Sequence, residues 1–320
     1  MSATSSQSPA DRMDPEMRAA RARMDAEAAK YPPVLAQEPF DQHRQVNDTL
    51  NMVWAQGGPV MADTADRWVF ARGRRVLCRL HRPRRDAALP VLVWFHGGGW
   101  VWSSIDTHDR LARELAVAGE VAVISVDYAL SPEARFPQAV QECAAVVRQV
   151  AAQAGAWGID PARIMLGGDS AGGNLALATA LLLRDAAGPA LAGLLCAYPV
   201  TDADFESPSY REFAEGYGLT RAAMQAYWNL YLRDPADRLN PLAAPLRGRL
   251  QGLPPTLLQL AELDVLRSDG ERMAEALEKA GVAVTLETYA GMLHGFMRLS
   301  EAVGTTRNAI GAAGRWLKQR

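Results

Sequence analysis

Short apolar segments alternate with longer helical patterns from about residue 68 to the C-terminus. Several of the apolar segments are continuous, which is typical of parallel strands that are buried on both faces. The predicted strands are residues 68–71, 76–81, 91–95, 121–126, 164–166, 191–197, 256–260 and 283–289. The predicted helices are residues 111–118, 137–154, 171–184, 269–280 and 301–318. This alternation predicts an α/β fold with a mostly parallel central sheet, and the first two strands predict an antiparallel hairpin at its edge.

Two segments lie outside this alternation. Asp14, Pro15 and Glu16 read as the N-cap and first turn of a helix, and apolar residues at positions 17, 20, 24 and 28 continue it as an amphipathic arm. The connection between the strands that end and begin near residues 198 and 256 is far longer than an ordinary loop, and it contains a helical pattern over 219–232. A connection of this length predicts a lid or cap.

Composition and charge exclude several classes of protein. The chain has 320 residues, of which 49% are hydrophobic, and a formal net charge of −2. A disordered chain would be less apolar, and a nucleic-acid partner would call for a basic surface. The three cysteines form no C-x-x-C pair, so neither a disulfide framework nor a zinc site is predicted. With no signal-peptide pattern and no apolar run long enough for a membrane span, a cytoplasmic location is expected.

Residues 168–172 (GDSAG) match the pattern G-x-S-x-G. The pattern alone arises by chance in roughly one of a dozen chains of this composition. Here it follows the predicted strand 164–166 and opens the predicted helix 171–184, which is the context of a nucleophile elbow. The turn is so tight that it needs glycine on both sides of Ser170, and the helix N-terminus favours negative charge near the serine oxygen. An ordinary glycine-rich turn with an N-cap serine is the alternative.

Residues 96–99 (HGGG) follow the predicted strand 91–95 directly. This run is expected by chance in roughly three per thousand chains of this composition. Three consecutive glycines are costly to order, but they leave main-chain N–H groups free to approach a ligand oxygen, as an oxyanion hole requires. A phosphate-binding loop is disfavoured because the spacing of a P-loop or a dinucleotide-binding loop is absent. We expect His96 to brace the loop by hydrogen bonding rather than to transfer a proton.

A serine nucleophile needs a base, and His294 fits this role best among the five histidines. It lies in the loop after the predicted strand 283–289, where open α/β sheets place their sites. An ordinary loop histidine is the alternative.

Asp264 is the first choice for the carboxylate that orients this histidine, because it ends the apolar run that starts at residue 256. Asp269 is the fallback, although it is better explained as a helix N-cap. Glu262 is interpreted as a structural acid. The chain order Ser170, Asp264, His294 matches one known order of the serine–acid–histidine triad.

With these motifs the chain resembles the bacterial hormone-sensitive-lipase-like carboxylesterases (family IV), which have the α/β-hydrolase fold. The resemblance runs from about residue 91 to the C-terminus and more loosely through the N-terminal arm. Besides HGGGW and GDSAGG, it rests on SVDYALSPE at 125–133, FP at 136–137, AEGYG at 214–218, PTLL at 255–258 and HGF at 294–296.

The resemblance implies a serine carboxylic-ester hydrolase that works through an acyl-enzyme intermediate, without a metal ion or cofactor. Ser170 would be the nucleophile, His294 the base and Asp264 the orienting acid. The N–H groups that would bind the oxyanion are those of Gly98, Gly99 and Ala171.

The resemblance also implies a helical cap and therefore a division of the chain. Residues 1–50 would form the N-terminal arm of the cap, and residues 202–240 the cap insertion. Residues 51–201 and 241–320 would form the two parts of the catalytic α/β core.

The expected partner is a small uncharged ester with a short to medium acyl chain, bound under the cap. Trp100, Tyr217 and Met17 are predicted to contact it; the further candidates are Trp102, Phe205 and Tyr227. The same triad could serve a deacetylase, lactonase or amidase of a small metabolite. A non-catalytic receptor on this fold is less favoured, because such receptors typically lack a triad residue. A monomer or homodimer is expected.

Overall fold

Eight strands form a single sheet in the computed structural model, which describes residues 8–85 and 88–320. The order across the sheet is β1-β2-β4-β3-β5-β6-β7-β8. The strands are β1 (Asp63–Ala71), β2 (Arg74–Arg82), β3 (Leu89–Phe95), β4 (Ala122–Asp127), β5 (Ile159–Asp169), β6 (Gly193–Ala197), β7 (Thr256–Leu263) and β8 (Val284–Leu293). Every residue of β3 is buried, as expected for a strand that is covered on both faces.

The predicted antiparallel hairpin is confirmed at the edge of the sheet. β1 pairs antiparallel with β2, β2 pairs antiparallel with β4, and the remaining pairs are parallel. Arg72 and Gly73 connect β1 to β2 with φ of 50° and 83°, the positive values that a two-residue hairpin turn needs to follow the strand twist. β1 begins at Asp63, earlier than predicted. Its first half carries mostly polar side chains, alternately exposed and half-buried, so it lacks the apolar signal of a strand.

The predicted helices are present with small shifts at their ends. All the helices of the described residues, predicted or not, are α1 (Pro9–Arg12), α2 (Pro15–Ala28), α3 (Phe40–Ala55), α4 (Asp109–Gly119), α5 (Gln138–Ala152), α6 (Ala154–Trp157), α7 (Ala171–Asp185), α8 (Pro208–Glu212), α9 (Arg221–Tyr231), α10 (Arg267–Lys279) and α11 (Gly304–Leu317). Three short 3₁₀ helices cover Pro235–Leu239, Pro245–Arg247 and Phe296–Arg298. No helix in the described ranges is both long and apolar enough to cross a bilayer.

The N-terminal arm consists of two long helices rather than one. Asp14 caps α2 as predicted, because its Oδ1 accepts the N–H groups of Glu16 at 2.8 Å and Met17 at 3.2 Å. α3 was not predicted, although apolar residues at positions 46, 50, 53 and 54 have helical spacing. α3 also continues to Ala55 across the predicted boundary at residue 50. The predicted division of the chain therefore cuts through a helix.

Candidate active site

Ser170 lies in the tight turn between β5 and α7, with φ of 56° and ψ of −121°. This backbone conformation is strained for a residue with a side chain. A Cβ placed on Gly168 or Gly172 would collide with the main-chain carbonyl of Phe95. The crowding that the G-x-S-x-G pattern predicts is therefore present on both sides of the serine, and the turn is geometrically that of a nucleophile elbow.

The structure brings Ser170, His294 and Asp264 into one line of hydrogen bonds. His294 Nε2 lies 2.9 Å from Ser170 Oγ, and His294 Nδ1 lies 2.7 Å from Asp264 Oδ2. Since a carboxylate only accepts, Nδ1 carries the ring proton and Nε2 is left to accept from the serine hydroxyl. Asp264 is buried, and its other oxygen accepts the N–H of Leu266 at 2.9 Å.

His294 follows β8 directly, and a bulge near the end of that strand positions the loop that carries the histidine. The pairing between β7 and β8 shifts after Ala261, and Gly291 has φ of 68° there. The Gly291 N–H donates to Glu262 Oε2 at 2.7 Å, so Glu262 braces the bulge, as the structural interpretation of this acid requires. The Gly291 carbonyl accepts the N–H of Asp14 at 3.1 Å, which fixes the start of α2 beside the histidine loop.

Asp269 is neither the N-cap nor a partner of His294. α10 begins at Arg267, so Asp269 lies inside its first turn, and its Oδ2 accepts the N–H groups of Thr201 at 2.9 Å and Asp202 at 3.2 Å. Its other oxygen is buried without a hydrogen bond among the residues described. Burial raises the pKa of Asp269 to about 7 against the effect of the two N–H donors. The expected N-cap role was wrong because this side chain points inward to hold another loop.

The glycine loop offers main-chain donors beside Ser170. The N–H groups of Gly98, Gly99 and Ala171 make no hydrogen bond to any described part of the chain. Gly98 and Gly99 have φ of 122° and 60°. A Cβ on Gly99 would meet the ring of Tyr227 at 2.6 Å, so bare backbone is required where α9 packs on the loop.

Buried polar side chains hydrogen-bond to the main chain of the glycine loop and hold it in place. Asp169 Oδ1 accepts the N–H of Gly97 at 3.0 Å, and Asp169 Oδ2 lies 3.4 Å from His108 Nε2. Burial has the largest single effect and would raise the pKa of Asp169, but His108, Arg298 and His96 together lower it. Burial and the neighbouring charge of His108 lower the pKa of His96 to about 3, so its ring is neutral. His96 Nδ1 donates to the Gly97 carbonyl at 2.8 Å, consistent with a bracing role.

A cavity of about 550 Å³ opens onto the serine, the histidine and the glycine loop. α2, α3 and α9 supply much of its apolar lining, including Met24, Leu50, Trp54, Met224 and Tyr227. Trp102 lines the cavity too. Two of the further candidates for substrate contact, Trp102 and Tyr227, therefore lie on the cavity wall. Its polar wall includes Asn47, Asn51 and Arg298, and Arg298 Nη1 donates to Asn51 Oδ1 at 2.5 Å.

Trp100, Tyr217 and Met17 do not line this cavity, which corrects the prediction that they contact substrate. The fully buried Trp100 ring stacks on Tyr231, with ring centroids 4.1 Å apart. The Tyr217 ring packs edge-on against Phe213 at 5.1 Å. Met17 is buried in the core, whereas Met24, two turns later on α2, reaches the cavity. The sequence located the aromatic and methionine segments but not the direction of each side chain.

The sequence contains only weak signals for the polar cavity residues that were not predicted. Asn47 and Asn51 belong to the helix that the sequence analysis did not predict. Arg298 follows His294 by only four residues, which is a cue that could have placed it near the histidine. In the ranges described, no group of three or more His, Cys, Asp or Glu side chains could hold a metal ion.

Comparison with known proteins agrees with this geometry. Residues 92–298 match the family described as the α/β-hydrolase fold. The carboxylesterase NlhH of Mycobacterium tuberculosis is 41% identical over 227 residues, which cover 70% of this chain and 71% of the relative. An ethyl acetate hydrolase of Pseudomonas putida is 36% identical over 283 residues, covering 86% of this chain and 88% of the relative.

Solved structures agree as well. The crystal structure of a thermostable esterase from Pseudomonas putida ECU1011 superposes with a TM-score of 0.90 at 36% identity, covering 98% of both chains. An esterase from the archaeon Pyrobaculum calidifontis superposes with a TM-score of 0.90 at 31% identity, covering 96% of this chain and 98% of that one. The chain therefore belongs to the hormone-sensitive-lipase-like carboxylesterases of the α/β-hydrolase fold and is a carboxylic ester hydrolase.

Proposed function

We propose that Ser170, His294 and Asp264 hydrolyse esters in two steps through an acyl-enzyme intermediate. His294 Nε2 takes the proton of the Ser170 hydroxyl as its oxygen attacks the ester carbonyl carbon. The C–O bond to the alcohol then breaks, and His294 gives its proton to the departing alkoxide oxygen. Water, deprotonated by the same ring, attacks the acyl carbon and releases the carboxylic acid and the serine. Asp264 holds the ring in the required tautomer and stabilises its protonated form.

The oxyanion that forms in each step is bound by the N–H groups of Gly98, Gly99 and Ala171. These donors are aimed at the place where charge develops and are fixed before reaction, so they stabilise the transition state without reorganisation. The short hydrogen bonds on both nitrogens of His294, at 2.9 and 2.7 Å, are the single observation that carries this proposal.

The proposed substrate is an uncharged ester with a short to medium acyl chain. The cavity of about 550 Å³ has the size of a small-molecule site. Met24, Trp54 and Met224 give it an apolar wall, and the charged side chains of α2 that also line it come in both signs: Arg21, Arg23, Asp25 and Glu27. We propose that α2, α3 and α9 act as the cap that shields the reaction from bulk water. The relative that is named ethyl acetate hydrolase points to short esters as well. A cytoplasmic location and a monomeric or homodimeric state remain predictions from the sequence.

A series of p-nitrophenyl esters graded from acetyl to dodecanoyl tests the substrate class. Hydrolysis should be fastest for acyl chains of about two to eight carbons and should be abolished in Ser170→Ala. A matched p-nitroanilide of the best acyl group should react far more slowly. A preference for the anilide, or for the longest chains, would contradict the proposed substrate class.

A further inference from the structure

Ser103 lies in the cavity wall beside the glycine loop, and no step described so far uses its hydroxyl. The residue lines the same cavity as Gly98, Ser170 and His294. A Cβ placed on Gly98 would lie 3.1 Å from Ser103 Oγ. The hydroxyl is therefore next to the loop whose N–H groups are the proposed oxyanion donors.

The backbone of Ser103 is held in a conformation that glycine adopts far more readily. Its φ is 70°, in the left-handed region where a side chain is crowded by the backbone. The turn before it closes on the Gly98 carbonyl, which accepts the N–H groups of Val101 at 3.0 Å and Trp102 at 2.9 Å. A non-glycine residue in such a conformation is typical of sites where the side chain has a function.

The Ser103 hydroxyl makes no hydrogen bond to another group within residues 8–85 and 88–320, although the residue is only 8% exposed. Its neighbour Ser104, in contrast, accepts the N–H of Thr107 through its own hydroxyl at 3.4 Å. The Ser103 oxygen is not among the fully buried unpaired atoms, so it remains accessible from the cavity that the residue lines. Ser103 thus offers an unused donor to whatever occupies the cavity.

We propose that the Ser103 hydroxyl donates a further hydrogen bond to the oxyanion that forms when Ser170 attacks the ester carbonyl. This inference rests on the proposed roles of Ser170 and of the glycine loop. Ser103 keeps its proton and forms no covalent bond. Its hydrogen bond strengthens as the carbonyl oxygen becomes fully charged, so it stabilises the transition state more than the bound ester.

Two substitutions separate the hydroxyl from the backbone strain. Ser103→Ala removes the hydroxyl and keeps a side chain at positive φ, whereas Ser103→Gly removes the hydroxyl and relieves the strain. Both variants should lose about tenfold in kcat, because backbone donors remain, with KM unchanged within about twofold. A trifluoromethyl ketone, which forms a charged hemiketal with the nucleophilic serine, should bind both variants about tenfold more weakly. If Ser103→Ala does not fold, the glycine variant alone gives the same readouts.

Three results would overturn the inference. If kcat is lost in Ser103→Ala but stays at the wild-type value in Ser103→Gly, the position matters for backbone geometry and not for its hydroxyl. Wild-type kcat in both, or a change confined to KM, would remove the oxyanion role. Ser170→Ala is measured in parallel: activity surviving there would refute the proposed function, whereas an inactive Ser170→Ala beside fully active Ser103 variants would refute this inference only.

Discussion

Gly97 and Asp169 connect the two halves of the candidate active site through one buried hydrogen bond. The Gly97 N–H donates to Asp169 Oδ1 at 3.0 Å, and Asp169 immediately precedes Ser170. A Cβ on Gly97 would also lie 2.5 Å from Asp169 Oδ2, so the two segments are in close contact. The loop that carries the proposed oxyanion donors is thus fixed to the strand that delivers the nucleophile.

Asp169→Ala should lower kcat by about tenfold or more, because the glycine loop loses its anchor. It should also destabilise the fold by roughly 1–3 kcal/mol, since a buried N–H is left unpaired. Asp169→Asn keeps an oxygen that can accept from Gly97 and should retain more activity than the alanine variant. Steady-state kinetics and urea unfolding of both variants provide the measurement, and equal, wild-type-like behaviour of the two would show that this contact does not position the loop.

Asp264→Asn should reduce kcat on the order of 10³-fold or more, because an amide facing Nδ1 favours the tautomer in which Nε2 carries the proton and cannot accept from Ser170. Asp269→Asn is the matched control, since this carboxyl holds Thr201 and Asp202 rather than His294. Circular dichroism establishes that both variants are folded, and kcat is then compared. A larger loss in Asp269→Asn than in Asp264→Asn would reverse the assignment of the orienting acid.

Asp269 should make the fold more stable in mild acid than at alkaline pH. Burial raises its pKa from 3.8 to about 7, so the native state holds this proton more tightly than the unfolded chain. Its contribution is complete below about pH 4 and is lost as pH rises through 7, by about 4 kcal/mol at most. Urea unfolding midpoints at pH 5 and pH 8.5 should differ less in Asp269→Asn than in the wild type. An identical pH dependence of the two proteins would contradict a raised pKa.

Gly172→Ala should destabilise the protein by roughly 1–3 kcal/mol and abolish most activity, because its Cβ would overlap the Phe95 carbonyl oxygen. Gly155→Ala is the control: a Cβ there meets nothing within 4 Å, and alanine favours the helical backbone. Thermal unfolding and ester hydrolysis are measured for both. A Gly172→Ala protein as stable and active as Gly155→Ala would show that the elbow is not as crowded as its backbone indicates.

Met24 and Met17 give a matched pair for the role of α2. Met24→Ala enlarges the cavity and should shift the preferred acyl chain toward longer esters, with little loss of stability. Met17→Ala leaves a void in the core and should cost roughly 2–5 kcal/mol of stability, with the acyl-chain profile unchanged. The profile comes from the graded esters, and the stability from urea unfolding. A changed profile in Met17→Ala alone would restore the original prediction for that residue.

The sequence predicted the sheet and selected Ser170, Asp264 and His294, which the structure brings within hydrogen-bonding distance of one another. Continuous apolar strands and the glycines around Ser170 follow from constraints within a few positions. Asp264 and His294 were selected because each lies at or after the end of a predicted strand and because the chain order fits. The edge hairpin was equally predictable, since only residues 72–75 separate the two predicted strands, and the structure shortens this connection to Arg72 and Gly73.

The directions of individual side chains around the site could not be predicted in the same way. Trp100 and Trp102 are two residues apart, yet one is stacked in the core and the other lines the cavity. The positive φ of Trp100, at 62°, turns the chain between them, and no pattern of apolar spacing encodes that turn. Asp269 likewise looked like a helix cap because its tertiary partners, the N–H groups of Thr201 and Asp202, lie far away in the chain.

Covalent labelling by a fluorophosphonate tests the central claim most directly, because only an activated serine displaces the fluoride. Intact-mass measurement and peptide mapping should show one adduct per chain, on Ser170. Labelling should be lost in Ser170→Ala and should be slower by on the order of 10²-fold or more in a His294→Gln variant that remains folded. An adduct on another residue, or labelling of Ser170 that proceeds equally fast without His294, would contradict the account.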